Sequence, residues 1–148
     1  MMEQERLEDL SIYYFIFDLF SGKGVNIVDA FPEELLTVPT IAIDTKRIVA
    51  NLFELGNKTR LLTRTWYIDV FAQNKSQRDD MTYIIIKALE DCIPVYDYNL
   101  GFPPVVVPQL GCLKTDTIQA DWIRVLPQLV DKMYYRTSIT FTAYFTNI

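Results

Sequence analysis

The sequence predicts an α+β domain: a mainly antiparallel sheet with a long hairpin, and two helices packed on one face. Three observations predict it. Two segments, one at the start and one in the middle, carry apolar residues at helical spacing. The remaining ordered-looking runs are rich in β-branched and aromatic residues, and several alternate in polarity. Neighbouring strands follow one another without regular helical crossovers, which favours an antiparallel or mixed sheet over βαβ units. With 148 residues, no internal repeat and no linker-like tract, residues 1–148 read as a single domain.

The first helix is expected over residues 3–21, ended by Gly22 and Gly24. It carries two apolar stripes. Leu7, Leu10, Tyr14 and Phe17 form one; Ile12, Phe15, Ile16 and Leu19 form the other. A surface helix needs a single stripe, so this one is sandwiched, either inside its own domain or against a neighbour. Ile12, Phe15, Ile16 and Leu19 are therefore candidate subunit-interface residues.

Short β-type runs follow at Thr40–Asp44, Arg47–Leu55 and Arg60–Ala72. The last two join through Gly56-Asn57-Lys58-Thr59, a turn signal, and give a long hairpin over 46–72. In its second arm Leu62, Trp66, Ile68 and Val70 share a face with Arg64 as the exception, while Tyr67, Asp69 and Phe71 face the other way. The hairpin tip (Gly56, Asn57, Lys58) is a second candidate contact. Lys58, Arg60 and Arg64 read as a solvated strand edge.

The second helix is expected over 76–92, with Ser76 as N-cap, Asp79 in capping-box spacing and Asp80 near the positive end of the dipole. Met81, Ile84, Ile85, Ala88, Leu89 and Cys92 fall at helical spacing, and Pro94 stops the helix. Ile93–Tyr98 then reads as a short strand and Asn99–Gly111 as a Pro- and Gly-rich loop, in which Phe102 and Pro103 form a candidate docking contact. The C-terminal strands are expected over 112–146, with an interruption near Gln119–Asp121 and a strongly alternating last strand.

Chemistry is harder to find. The chain has no histidine, which removes the commonest general base and the usual zinc ligand. The pairs Asp79-Asp80 and Glu90-Asp91 are explained by helix ends, and Asp116 and Asp121 by a polar sheet face. Ser21-Gly22-Lys23-Gly24 lacks the spacing and the preceding strand of a phosphate loop. No catalytic, cofactor or metal residues are assigned, and the chain reads as structural, not enzymatic. Its formal charge of −5 argues against a phosphate-binding surface. No apolar run reaches membrane-spanning length. Cys92 and Cys112 read as buried small hydrophobes of a cytoplasmic protein. Aromatic residues make up 14% of the chain, a surplus that suits a core or a subunit interface.

Three segments taken together resemble a known family. They are Arg64-Thr65-Trp66-Tyr67-Ile68-Asp69-Val70-Phe71-Ala72, Gln77-Arg78-Asp79-Asp80, and Ile93-Pro94-Val95-Tyr96-Asp97-Tyr98 with Gly101-Phe102-Pro103 behind it. This succession resembles the tail terminator (tail completion, neck) proteins of long-tailed bacteriophages, over about Leu36 to Phe145. The resemblance implies a virion subunit, assembled in the host cytoplasm, that forms a homo-oligomeric ring, typically a hexamer. Such a ring ends the tail tube and meets the head-side connector or neck proteins, and genomic DNA passes through without specific binding. Two alternatives are a head-completion or other adaptor of different ring symmetry, and a small ligand-binding α+β dimer with Tyr and Asp side chains in a cleft.

Overall fold

The computed structural model describes residues 3–29, 39–52, 60–100, 109–123 and 135–147. Its first element, α1 (Gln4–Leu19), starts without a side-chain cap and closes at Phe20. Gly22 and Gly24 follow at φ 77° and 70°, where a side chain would be strained. A short strand β1 (Asn26–Val28) comes next, followed by β2 (Thr40–Leu52) and β3 (Arg60–Ala72). Helix α2 (Lys75–Leu89), strand β4 (Ile93–Tyr96), a 3-10 turn (Tyr98–Leu100), β5 (Gln109–Ile123) and β6 (Tyr135–Asn147) complete the described chain.

The six strands form one sheet in the order β1-β2-β3-β6-β5-β4. Only β1–β2 is parallel; every other pair is antiparallel. The α+β architecture expected from the sequence is thus the one observed, with both helices on one face of a curled sheet. The expected run Thr40–Asp44 and the described part of Arg47–Leu55, as far as Leu52, are one strand. They are joined through a bulge at Lys46, so the hairpin begins at Thr40, not at 46. β5 runs unbroken through Gln119–Asp121; its register shifts against β6 at a bulge at Asp116 and against β4 at Leu110.

Alternation places Ile41, Ile43, Trp66, Ile68, Val70, Ile139, Phe141 and Ala143 on the helix-covered face, all buried. Met81, Ile85 and Leu89 of α2 close over β3, β6 and β5. α1 reaches β4 at one margin of the sheet and β1 and β2 at the other, so the curl of the sheet wraps around it. This explains why α1 needs more than one apolar stripe. Ile12 and Ile16 are 0% exposed and belong to the domain's own core. Phe15 and Leu19 pack against that core, partly buried, and the exposed ring on this helix is Phe17. The interface assignment for Ile12 and Ile16 is therefore corrected.

The α2 cap is also corrected. Asn74 is the N-cap, its side chain accepting from the Gln77 backbone N–H at 2.9 Å. Gln77 in turn accepts from the Gln73 backbone N–H at 2.8 Å. The helix ends at Leu89, so Cys92 lies beyond it. Cys92 is exposed and Cys112 half-buried, and the two form a disulfide with their Cα atoms 5.7 Å apart. They are not the two separate buried thiols expected from their spacing.

Candidate functional site

Three surfaces follow from this fold. The first is a charged network between α1 and β3. Arg64 sits on the apolar face of β3 because alternation puts it there beside Trp66. Its guanidinium stacks on that ring, 4.6 Å from the centroid. One nitrogen donates to the Glu5 carbonyl at 2.8 Å and to Glu8 Oε1 at 3.3 Å; the other meets Asp9 Oδ1 at 2.9 Å. Trp66 Nε1 donates to the same Asp9 oxygen at 2.9 Å, and Gln4 donates to Glu8 Oε2 at 3.1 Å. The Arg64 and Glu8 side chains are only 4% and 6% exposed. Burial pushes the Glu8 carboxyl above the usual range, against the opposing pull of Gln4 and Arg64. Arg64 is thus a buried anchor for α1, not part of a solvated strand edge.

Beside this network a cleft of about 560 Å³ opens between α1 and the β1–β2 margin. Arg6, Asp9, Tyr13, Asp29, Asp44 and Trp66 are among its walls. Asp9 is already held by Arg64 and Trp66, and Tyr13 donates to the Ile27 carbonyl at 3.3 Å. Asp29 and Asp44 are exposed at its mouth. The chemistry on offer is recognition of a polar or cationic molecule by side-chain oxygens. Among the described residues no three His, Cys, Asp or Glu side chains gather as metal donors.

The second surface is the sheet face turned away from the helices. Thr65 and Thr142 share a hydrogen bond of 3.0 Å between their hydroxyls there. Arg136 pairs with Asp69 at 3.3 Å and stacks on Phe71. This face is polar, yet Asp69 and Phe71 are buried within it.

The third surface is the two margins. Of the seven exposed large hydrophobics among the described residues, Ile48 and Val49 lie on β2, and Leu110 and Trp122 on β5. Trp122 packs near Tyr83 of α2 and donates to Asp79 Oδ1 at 3.0 Å. That bond, with Arg78, holds the Asp79 carboxyl below its ordinary range. Asp79 therefore ties α2 to β5 instead of closing a capping box. Trp122 gave no sequence signal as a margin residue, since its run reads as an ordinary strand.

Of the sequence-derived contact residues, Ile12 and Ile16 are core, and Phe15 and Leu19 line it. Gly56, Asn57 and Lys58 of the hairpin tip, and Phe102 and Pro103 of the loop, lie outside the described residues. No helix among the described residues is long and apolar enough to cross a membrane. No protein-family model matches the chain, and no curated protein does either.

Proposed function

We propose that this protein is a structural subunit of a bacteriophage neck, a tail terminator that assembles into a ring and joins tail tube to head connector. The observation that supports self-assembly is the placement of exposed apolar side chains on both margins of one sheet: Ile48 and Val49 on β2, Leu110 and Trp122 on β5. Isolated exposed apolar residues are ordinary. Two different apolar margins, one on β2 and one on β5, suit a heterologous, head-to-tail interface, the kind that closes a ring. The family itself is supported by the three sequence segments that resemble tail terminators. In this reading the tail tube and the head-side connector are the partners, the ring is structural and not catalytic, and DNA passes through it unbound.

The test is the mass of the purified protein by light scattering across a concentration series, alone and with tail tubes. A ring-sized species in either setting, seen as a closed ring by negative-stain microscopy, supports the proposal. A protein that stays monomeric with and without tubes, or a stable dimer indifferent to them, overturns it. The cleft supports a second reading, since its volume lies in the range of small-molecule sites and its mouth carries Asp29 and Asp44. Calorimetric titration with small organic cations would reveal such binding, and its loss in Asp44→Asn would place it in the cleft.

A further inference from the structure

From the strand register, we infer that neighbouring copies join by continuing the sheet, the bulged edge of β2 on one copy pairing with the bulged edge of β5 on the next. This rests on the ring reading above and names the joint. Among the described residues β1 covers β2 only at Thr40–Ala42, and β4 covers β5 only at Gln109–Leu113. For the rest of each strand, from Ile43 on β2 and from Lys114 on β5, no described strand pairs with the outer backbone edge. Such an edge is a template for another strand.

Direction fits. β2 is antiparallel to β3, β3 to β6 and β6 to β5, so β2 and β5 run opposite ways. Two copies set side by side in the same orientation therefore meet in an antiparallel joint, without inverting either one. The level fits as well. Arg47 is level with Thr65, Thr65 with Thr142, and Thr142 with Thr117, so one row crosses all four strands. The β2 bulge, Lys46, sits next to one end of that row and the β5 bulge, Asp116, next to the other.

Charge completes the match. Lys46 and Arg47 are exposed at one margin, and Asp116 and Thr117 at the other. A ring of identical copies related by rotation alone brings features at equal height together, so cation meets anion at every joint. Bulges deter pairing with a flat foreign strand. Opposite charges at one height then favour this joint over pairing with other edges.

The experiment is a charge swap on the full chain, with light scattering and microscopy as readouts and circular dichroism to confirm folding. All four side chains are exposed, so the fold should be kept. Variant one is Lys46→Glu with Arg47→Glu; variant two is Asp116→Lys with Thr117→Lys. Each alone places like charges at every joint and should weaken assembly at least tenfold. Mixed in equal amounts, they should assemble again, alternating around the ring. Rings from wild type that both variants form equally well would overturn the joint and leave the ring reading standing. Open filaments from wild type that obey the swap rule would keep the joint and overturn the ring. A wild type that stays monomeric, with the swaps weakening only its binding to tail tubes, would give these edges to the tube protein and overturn the joint.

Discussion

Replacing Arg64 with Met keeps most of the side-chain volume and removes the charge that holds α1 to β3. Glu8 would then keep one neutral partner, Gln4, in a site that leaves its side chain 6% exposed. Removing one member of a buried ion pair costs about 3–5 kcal/mol, because the other is left uncompensated. Asp9 lowers that figure little, since it is 39% exposed and retains Trp66. The lower end, about 3 kcal/mol at neutral pH, is expected because Glu8 can take up a proton. In a chain of this size that is a fall of roughly 6–12 °C in Tm. The sign with pH follows from Glu8. Its carboxyl in the folded state lies above the ordinary value, so its contribution is complete below the ordinary glutamate range and is lost as pH rises through the folded value. Without Arg64, which pulls that value down, the window extends towards neutrality, so Arg64→Met should be closer to wild type in acid. Urea unfolding followed by circular dichroism between pH 4 and 8 measures this, with Arg64→Met/Glu8→Gln expected to recover most of the loss. A cost within about 1 kcal/mol at every pH, the size of a solvated surface pair, would refute the buried network.

Further perturbations test other parts of the fold. Ile16→Asp should yield an unfolded chain by circular dichroism, because Ile16 is 0% exposed in the core; a folded monomer would return Ile16 to the surface. Reducing Cys92–Cys112, which are separated by 20 residues, should lower stability by about 3 kcal/mol, read as a drop in Tm with and without dithiothreitol. Gly111→Ala would drive its new methyl into the Thr146 carbonyl and the Phe145 ring, at a cost of about 1–3 kcal/mol in urea. Trp122→Phe removes the main cause of the lowered Asp79 carboxyl, so its titration followed by NMR should move up. Asp79 contributes above the ordinary aspartate range and loses this as pH falls through its folded value, so the variant should be less sensitive to acid.

Periodicity made most of the elements legible. The spacing of Met81, Ile85 and Leu89 located α2 and its buried side, and alternation assigned both faces of β3 and β6. What escaped depends on the third dimension. Asn74 and Ser76 are both good N-caps, and only the backbone position of Gln77 decides for Asn74. Twenty residues of separation say nothing about whether Cys92 and Cys112 meet. The second stripe of α1 suggested a neighbour because a flat sheet covers one side of a helix; a curled one covers more. Arg64 broke the apolar pattern of its strand, and that break was the signal of the buried network, whose partners Glu8 and Asp9 lie more than fifty residues away.

The wrapped position of α1 also sets an order on the ribosome. α1 is made before the strands that enclose it, which run as far as β4, whose last residue is Tyr96. At about 5–20 residues per second, several seconds pass before that strand exists. Until then the nascent helix lacks the cover that β4 gives it in the folded domain. Glu5, Glu8 and Asp9 then keep one side of it hydrated, and two of these carboxylates later receive Arg64. Glu8 and Asp9 are thus carboxylates on the early-made helix that await a partner made more than fifty residues later.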